Sequence, residues 1–374
     1  MLIETYTLIL SALFLLFFLV SLFYYLYFYS RLAFFAADPA TDPDQTLPVT
    51  VIICAQNENE NLKRFLPAIL TQDYPEFEVI IVDDGSTDET RFTLQGFQQM
   101  YAHLRVIELS EMVKNKQGKK FALMMGIKGA KFDHVLLSDA DCEPASDQWI
   151  RLMQAGFTEK KSIVLGYSPY LKRNGLLNLF IRYETFLTAT NYFSYALAGL
   201  PYMGVGRNLA YHKRLFFEAK GFSSHIHLMS GDDDLFINKV ARPDNTAIAV
   251  YPAAFTYSEP KLTYSAYFRQ KMRHTSVGHF YRRIHKNLLA ANAISTLGFY
   301  LTFVLLLVFR FYPQYVLGIF AFRLLIQLIF MGRIGKKLGS TELGILSPLL
   351  DIVYHLYLVF ISTASLFYKQ KTWK

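Results

Sequence analysis

The chain has 374 residues, of which 52% are hydrophobic and only 18% charged, whereas an average soluble protein carries roughly 25% charged residues. Lys and Arg total 38 against 30 Asp and Glu, and the two cysteines, Cys54 and Cys142, cannot build a disulfide framework. These values exclude a disordered chain, a collagen-like fibre and a simple cytosolic enzyme. Because the apolar excess lies at both ends, we expect a membrane protein whose basic loops face anionic lipid.

An uncharged apolar stretch begins the chain, at residues 6–29. It is long enough to span a bilayer, which takes about 20 apolar residues. It is also too long for a signal peptide, and Glu4 rather than a basic residue precedes it. Arg31 follows the stretch, so the distribution of basic residues predicts an outside amino terminus and a cytoplasmic continuation. We expect residues 1–31 to form a transmembrane anchor.

The carboxyl third, residues 288–368, forms a second membrane region. Its apolar stretches cover residues 288–309, 312–331 and 343–368. The basic loop at 333–337 predicts a cytoplasmic side, and the tail at 369–374 is basic as well. A single crossing by the last stretch would put that tail outside. The stretch therefore either crosses against the charge rule or dips in and returns near Pro348.

Three ionisable side chains interrupt these apolar stretches, namely Arg323, Asp351 and His355. Charged groups at membrane depth usually mark a functional site. A mutual ion pair between packed helices explains them equally well, and the sequence leaves both interpretations open.

The middle of the chain alternates strands with helices after a linker at residues 38–48, which is rich in Pro, Asp and Thr. Apolar β-branched runs predict strands at 49–54, 77–82, 105–108 and 134–138, and helical spacing predicts helices at 60–70, from Thr87 as cap to about 101, and at 119–130. This alternation is typical of parallel strands in a doubly wound α/β sheet.

Polar and acidic residues follow three of these strands, at residues 55–58, 83–86 and 139–141. Ligands of such sheets lie at the carboxyl ends of the strands, so a nucleotide is expected there. Neither GxGxxG nor GxxxxGK[ST] is present. Residues 117–120 supply a glycine and two lysines before a helix, which suits either a phosphate contact or solvated surface.

Two groups of acidic residues are candidates for a metal site and for a general base. Asp139 and Asp141 follow a buried strand at a spacing that suits a divalent ion, although Asp141 as a helix cap is the alternative. Asp232, Asp233 and Asp234 are consecutive, and mutual repulsion should raise at least one pKa, as a general base requires. The alternative is a helix start, where the dipole favours Asp.

A basic segment at residues 269–287 directly precedes the second membrane region and contains no acid. It suits an interfacial helix on anionic headgroups, and its first part could face a diphosphate. Because the patch is short and abuts the bilayer, nucleic acid is not expected as a partner.

Taken in order, the motifs resemble those of membrane-bound family 2 glycosyltransferases, the group that contains cellulose, chitin and hyaluronan synthases. The matching segments are 51–58, 82–88, 139–141, 231–233 and Gln270-x-x-Arg273. The resemblance covers about residues 49–274 and the flanking membrane pattern. It implies a GT-A fold, that is, a Rossmann-like mixed sheet, at residues 49–268, between amino- and carboxyl-terminal transmembrane helices.

The resemblance also implies roles for individual residues. Asp233 matches the general base, and Asp139 and Asp141 match the DxD motif that holds Mg²⁺ or Mn²⁺. The implied partners are a nucleotide-diphosphate sugar, a lipid-linked or glycan acceptor and membrane lipids, with an inverting transfer in the cytoplasm at the plasma or inner membrane. The implied donor-binding residues are Ala55, Asn57, Glu58, Asp83, Asp84, Lys119, Asp139, Gln270 and Arg273, and those on the acceptor side are Gly206, Arg207, Asn208, Asp232 and His274.

Two positions depart from the family's motifs. Asp232 replaces a Glu, which is a mild change, and His274 replaces a Trp that in polymerising relatives stacks on the terminal sugar. The second change argues against processive synthesis and favours the addition of one sugar to a membrane-associated acceptor. A processive synthase that extrudes its product, and a non-catalytic membrane subunit, are the two alternatives.

Overall fold

The computed structural model describes residues 2–36, 46–109, 118–226, 228, 230–275 and 277–367. Most of the expected linker, Gln117 of the expected phosphate loop and the basic tail lie outside these residues.

A seven-stranded mixed sheet forms the centre of the region between the amino-terminal and carboxyl-terminal apolar helices, in the order β3-β2-β1-β4-β7-β6-β8. The first four strands in sequence are parallel, and β7 runs antiparallel to both of its neighbours. A two-stranded ribbon, β5-β9, stands beside it. The strands are β1 (Val49–Ala55), β2 (Phe77–Asp83), β3 (Leu104–Glu108), β4 (His134–Asp139), β5 (Cys142–Pro144), β6 (Ile163–Leu165), β7 (Leu209–His212), β8 (Thr246–Ile248) and β9 (Thr256–Ser258). The four predicted strands and the α/β class are confirmed.

Helices alternate with the strands and continue into the membrane region. They are α1 (Leu2–Phe23), α2 (Ser30–Ala33), α3 (Asn59–Leu70), α4 (Thr90–Met100), α5 (Gly118–Gly129), α6 (Trp149–Gln154), α7 (Leu176–Leu197), α8 (Arg214–Glu218), α9 (Asp234–Val240), α10 (Tyr264–Thr275), α11 (Arg283–Val308), α12 (Pro313–Lys337) and α13 (Thr341–Phe367). A π-helical turn, Tyr24–Tyr29, joins α1 to α2, and we call it the aromatic collar.

One predicted cap is wrong. Helix α4 begins at Thr90 with Glu89 as its N-cap, not at Thr87. The Thr87 amide and hydroxyl instead donate to Asn57 Oδ1, at 2.8 and 3.3 Å. Thr87 therefore ties the loop after β2 to the loop after β1.

Strand register brings the polar strand ends to one edge of the sheet. Ala55 pairs with Asp83, and Cys54 pairs with Asp139. One face of the sheet packs on α3 and α6. The other face packs on α5 and α7, and this core continues into the collar and the helices α12 and α13. The sheet region and the long apolar helices therefore share one hydrophobic core.

Within the described part of the chain, four helices are long and apolar enough to cross a membrane: Thr5–Ala33, Arg283–Val308, Pro313–Lys337 and Thr341–Ser365. This agrees with the four predicted stretches. Helix α13 runs unbroken through Pro348, so the last stretch does not dip and return. Helix α13 packs closely on α12 at Gly344. A side chain at this position would overlap the Met331 carbonyl oxygen, so the close approach requires glycine.

The three ionisable side chains of the membrane helices meet in the bundle. Asp351 lies 3.8 Å from Arg323 and 3.1 Å from His355. Arg323 also donates to Ser21 and Gln327. The mutual ion pair is thus present, and Asp351 and His355 also line a cavity that reaches the catalytic region.

Candidate functional site

Two cavities meet at the carboxyl edge of the sheet. The smaller, of about 140 Å³, lies over the ends of β1 and β2, and the larger, of about 550 Å³, extends toward the membrane helices. Both are lined by Lys119, Asp139, Asp141 and Arg273, which form the wall between them. Two carboxylates and two cationic side chains therefore face both cavities. This arrangement suits an anionic group that lies across the boundary together with a cation.

Asp139 ends β4, and Asp141 follows it by two residues. Lys119 Nζ lies 2.6 Å from Asp139 Oδ1. Burial would raise the pKa of the Asp139 carboxyl, but the cations Lys119, Arg207 and Arg273 together outweigh burial and lower that pKa below its ordinary value. Burial and then the Asp139 carboxylate raise the pKa of Asp141. Asp141 accepts a hydrogen bond from Ser258 at 3.3 Å rather than capping a helix.

This pair suits a divalent ion that is held together with a ligand. The described residues contain no group of three or more His, Cys, Asp or Glu that would enclose a metal. Mg²⁺ is usually bound by one or two carboxylates plus substrate phosphates, so two acids are sufficient. Asp141 forms no ion pair with the described residues, and the raised pKa reflects a carboxylate that a cation would stabilise.

The three consecutive acids point in three directions. Asp232 lies 3.7 Å from Lys119 Nζ. Asp233 accepts hydrogen bonds from the amides of Gly206 and Asp234, each at 2.7 Å. Asp234 accepts from Tyr281 at 2.8 Å. Asp233 is therefore the N-cap of α9, so the triplet also forms the start of a helix.

Burial and the adjacent carboxylates shift two of these acids. Burial, then Asp232, raises the pKa of Asp233 to about 6, and burial, then Asp233, raises the pKa of Asp234 to about 7. A general base works best when its pKa lies near the operating pH. A Cβ on Gly206 would lie 3.3 Å from Asp233 Oδ2, so glycine permits this close approach.

The raised pKa of Asp233 gives a pH dependence. The base form is the carboxylate, which is lost as the pH falls through about 6. We therefore expect any reaction that uses Asp233 as its general base to slow about tenfold for each pH unit below the pKa. Rates measured between pH 4.5 and 8.5 test this expectation. After each incubation the protein is returned to neutral pH and assayed again, so that unfolding is distinguished from protonation of Asp233. A rate that stays constant down to pH 4.5 would contradict the role of a buried base.

Helix α10 places Gln270, Arg273 and His274 on the larger cavity, as the sequence predicts. Gln270 donates to the Tyr170 hydroxyl at 3.2 Å. Burial, then nearby cations, lowers the pKa of His274 well below its ordinary value, so its ring is neutral.

Glu184 of α7 holds helix α10 in position. It lies 2.7 Å from Lys271 Nζ and accepts a hydrogen bond from Tyr267. Both partners belong to α10, so the pair fixes the helix that carries Arg273.

Arg207 faces the larger cavity, whereas its neighbour Asn208 does not. The Arg207 guanidinium lies 4.3 Å from the Tyr170 ring centroid, and its Nη1 has no hydrogen-bond partner among the described residues. Asn208 is fully buried and bonds to Trp149, Tyr167 and Ala254. The expectation that Asn208 contacts the acceptor is therefore corrected, because the core uses all of its hydrogen-bonding capacity on this side.

Two of the expected donor-binding residues shape the loops instead of lining a cavity. Asp83 is buried and accepts from the Ser86 amide and hydroxyl at 2.9 and 2.6 Å. Asn57 adopts a left-handed conformation, with φ of 56°, and receives two hydrogen bonds from Thr87. Ala55, Glu58 and Asp84, in contrast, do line the smaller cavity.

Lys120 also departs from its expected role as a phosphate contact. It is buried and donates to the carbonyl oxygens of His225 and Leu228, at 2.6 and 2.9 Å. It therefore holds the loop that precedes the acid triplet.

Some residues that line the larger cavity belong to none of the sequence motifs, namely Tyr170, Glu184, Glu259 and Lys261. A carboxylate in the otherwise largely apolar α7 was a usable signal for Glu184, since such a buried charge requires a partner.

Part of this chain matches one protein family, and proteins of known sequence resemble part of it as well. Residues 50–202 match glycosyl transferase family 2. The glycosyltransferase AglE of Haloferax volcanii is 36% identical over 108 residues, 28% of this chain and 34% of AglE. The poly-beta-1,6-N-acetyl-D-glucosamine synthase of Staphylococcus epidermidis is 31% identical over 101 residues, 27% of this chain and 23% of the synthase. The matched region thus spans about a third or less of these relatives.

Among solved structures, the mannosyltransferase PcManGT of Pyrobaculum calidifontis, determined with GDP-Man and Mn²⁺, superposes with a TM-score of 0.58. The match covers 92% of this chain and 99% of PcManGT at 22% identity. At this identity the similarity concerns the fold, which is that of a GT-A glycosyltransferase.

Proposed function

Because the chain belongs to glycosyl transferase family 2 through residues 50–202, we propose that it is a membrane-bound enzyme that transfers a sugar from a nucleotide-diphosphate sugar to a membrane-associated acceptor. The observation that carries this proposal is the shared wall of Lys119, Asp139, Asp141 and Arg273 between the two cavities. The bond that breaks in such a transfer joins a diphosphate to a sugar, and this wall suits the diphosphate.

We assign the domains in line with this function. Residues 1–31 form the anchor, residues 49–268 the catalytic domain, residues 269–287 the interfacial segment and residues 288–368 the second membrane region. The four long apolar helices fall mostly in the anchor and the second membrane region, although Thr5–Ala33 extends two residues past the anchor and Arg283–Val308 begins within the interfacial segment.

On the donor side, the smaller cavity receives the nucleoside and the shared wall receives the diphosphate. Ala55, Glu58 and Asp84 surround the nucleoside compartment. The guanidinium of Arg273 and the ammonium of Lys119 stabilise the negative charge that develops on the leaving diphosphate. Asp139 and Asp141 would hold Mg²⁺ or Mn²⁺, which would supply further charge stabilisation at the diphosphate.

On the acceptor side, Asp233 accepts the proton of the attacking hydroxyl. The hydroxyl approaches from the larger cavity, opposite the diphosphate, so the configuration at the sugar carbon is inverted. General base assistance of this kind contributes about 10²–10⁴-fold. The amides of Gly206 and Asp234 hold the Asp233 carboxylate in one orientation.

A panel of UDP- and GDP-sugars tests the activity. The purified protein should hydrolyse at least one of them slowly in the presence of Mn²⁺ or Mg²⁺, and EDTA should abolish the reaction. The variant Glu76→Gln, on the exposed turn before β2, serves as an unaffected control. Failure to hydrolyse or bind any donor would favour the non-catalytic alternative.

Product size separates single addition from processive synthesis. His274 occupies the position at which polymerising relatives carry a Trp, and its neutral imidazole offers a smaller stacking surface. We therefore propose the addition of single sugars, which gives products one residue longer than the acceptor. A ladder of long products would support the processive alternative.

The membrane orientation gives a prediction of its own. Arg31 and the basic residues 333–337 favour a cytoplasmic catalytic domain. Protease added outside sealed, right-side-out cells should leave residues 49–286 intact, and permeabilised cells provide the control. Digestion of this region in sealed cells would overturn the assignment.

A further inference from the structure

We propose that α13 is not a fourth membrane span but lies within the leaflet next to the sheet region, with an apolar face against lipid and a polar face against protein. This inference concerns the membrane topology and does not depend on the function proposed above. By length and composition, α13 could cross a bilayer. A helix embedded in one leaflet is apolar as well, so the contacts of α13 decide between the two positions.

The first turn of α13 lies at the charged end of the bundle, where α2 and α12 end. Lys337, in the last turn of α12, donates to the carbonyl oxygen of Phe35, which follows α2. Glu342 of α13 lies 2.5 Å from Arg182 and 3.8 Å from Lys172. Because such charges require water or lipid headgroups, this end of the bundle lies at the headgroups beside the sheet region.

The second half of α13 packs on α7 and α10, two helices of the sheet region that line the larger cavity. Three aromatic side chains of α13, spaced three residues apart, make these contacts. The distances between ring centroids are 6.4 Å for Tyr354 and Tyr183, 4.9 Å for Tyr357 and Phe180, 6.1 Å for Tyr357 and Tyr267, and 6.1 Å for Phe360 and Phe268. A helix on its way to the far leaflet would move away from α7 and α10 along this stretch.

Helix α10 marks the level at which this contact takes place. Arg269 directly follows Phe268 and is exposed, and its guanidinium donates to Ser265 of the same helix. A charged group in hydrocarbon is costly, so we place Arg269 at the headgroups. Phe360 contacts the residue beside it and therefore lies near the same level. Glu342 and Phe360 are 18 residues apart, about 27 Å along a helix, yet both lie near the headgroups of one leaflet.

The far end of the bundle is built without α13. Within the described ranges, the apolar cluster there has Phe14 of α1, Phe299 of α11 and Val316 of α12 among its members, and all others come from these three helices or the turn between α11 and α12. Leu343 and Leu350 of α13 belong instead to the core that continues into the sheet region. A fourth span would be expected to pack on the other three at both ends.

The two faces of α13 agree with a position in one leaflet. Leu349, Leu356 and Val359 are exposed and share one face of the helix. Asp351 and His355 are buried on the opposite face, where they line the larger cavity. The apolar face therefore meets lipid chains, whereas the polar face is covered by protein rather than by water.

This position also removes a conflict in the distribution of charge. The loop at residues 333–337 and the tail at residues 369–374 are both basic. Basic segments near membrane helices favour the cytoplasmic side. If α13 does not cross, both segments lie on the same side as the sheet region, and three spans satisfy the rule that four would violate.

Labelling of introduced cysteines in sealed, right-side-out cells tests the topology. Glu76→Cys lies on the exposed turn before β2, Arg310→Cys on the exposed turn between α11 and α12, and Lys371→Cys in the basic tail. An impermeant maleimide is applied before and after permeabilisation, and wild type, which contains Cys54 and Cys142, gives the background. We expect Glu76→Cys and Lys371→Cys to react only after permeabilisation, and Arg310→Cys to react already in sealed cells.

The result is read from which positions react together. Reaction of Lys371→Cys together with Arg310→Cys in sealed cells, while Glu76→Cys is protected, would establish a fourth crossing and overturn the proposal. Reaction of all three from one side would also overturn it, because α11 and α12 would then not cross. If the two groups exchange sides, α13 keeps its proposed position and the cytoplasmic assignment of the sheet region is wrong. Donor hydrolysis plays no part here, so a failure of the proposed function would leave this result unaffected.

A cross-link tests the contact between α10 and α13 directly. Phe268→Cys combined with Phe360→Cys should be joined by a short bifunctional maleimide in native membranes, once each single variant has been shown to react with a permeant maleimide. The control pair combines Phe268→Cys with Val308→Cys, an exposed position at the far end of α11, and should stay unlinked. If the first pair also stays unlinked in a protein of unchanged Tm, α13 does not lie on α10 and the proposal is overturned.

Discussion

Asp233→Asn should lower the transfer rate by about 100-fold or more while donor affinity stays nearly unchanged. General base catalysis contributes about 10²–10⁴-fold, and the amide of Asn has no basicity at this pH. An interaction that acts mainly in the transition state reduces kcat and kcat/KM together. Asn also caps helices well, so α9 should keep its start.

The neighbouring acids provide matched controls for this substitution. The Asp232 carboxylate pairs with the Lys119 ammonium, and the Asp234 carboxylate accepts a hydrogen bond from Tyr281. Neither side chain therefore shares the orientation of Asp233. Transfer rate and donor affinity are measured for all three Asn variants, with Tm as a check on folding. If Asp234→Asn or Asp232→Asn abolishes transfer while Asp233→Asn still turns over, the base is assigned to the wrong residue.

Asp141→Asn should remove the metal dependence of donor binding. Asp141 forms no ion pair with the described residues, and its pKa is raised by burial and by Asp139, so a cation bound here would stabilise its charged form. Replacement by a neutral amide halves the carboxylate charge of the pair. We expect donor affinity in saturating Mn²⁺ or Mg²⁺ to fall to the value that wild type shows in EDTA.

Glu143→Gln is the control for that experiment, because Glu143 lies two residues further on in β5 and lines neither cavity. Donor affinity is measured by titration with and without metal for both variants and wild type. Donor affinity that Asp141→Asn leaves unchanged would remove Asp141 from the metal site.

The sequence was sufficient for the alternation of strands and helices, because buried β-branched runs and helical spacing are local signals. It was insufficient for the start of α4. Thr87 is a good N-cap by residue type, but its hydrogen-bonding groups are taken by Asn57, which lies 30 residues earlier. A competition between a local cap and a distant loop is settled only by the tertiary structure.

The same distinction applies to the candidate site. The position of Asp139 and Asp141 after a strand predicted that they would lie with Ala55, Glu58 and Asp84, since parallel strands end at one edge of the sheet. That Asp233 would lie in the same site was expected only from the resemblance to the family. Motif position did not reveal that Asn208 points into the core, because the direction of a side chain just before a strand depends on how the preceding loop folds. Nor could it pair Glu184 with Lys271, since their helices lie far apart in the chain.

The aromatic collar has a mechanical consequence. Phe28 stacks on Tyr195 of α7 with ring centroids 4.3 Å apart, and Leu32 of α2 is fully buried against the same core. A close-packed interface of this kind resists bending, because separating it would expose aromatic surface. In the function we propose, this interface would hold the acids of the site at a constant height above the lipid headgroups. Such an enzyme would glycosylate only a hydroxyl that its own molecule presents at that level, and would select by distance from the bilayer among acceptors of similar chemistry.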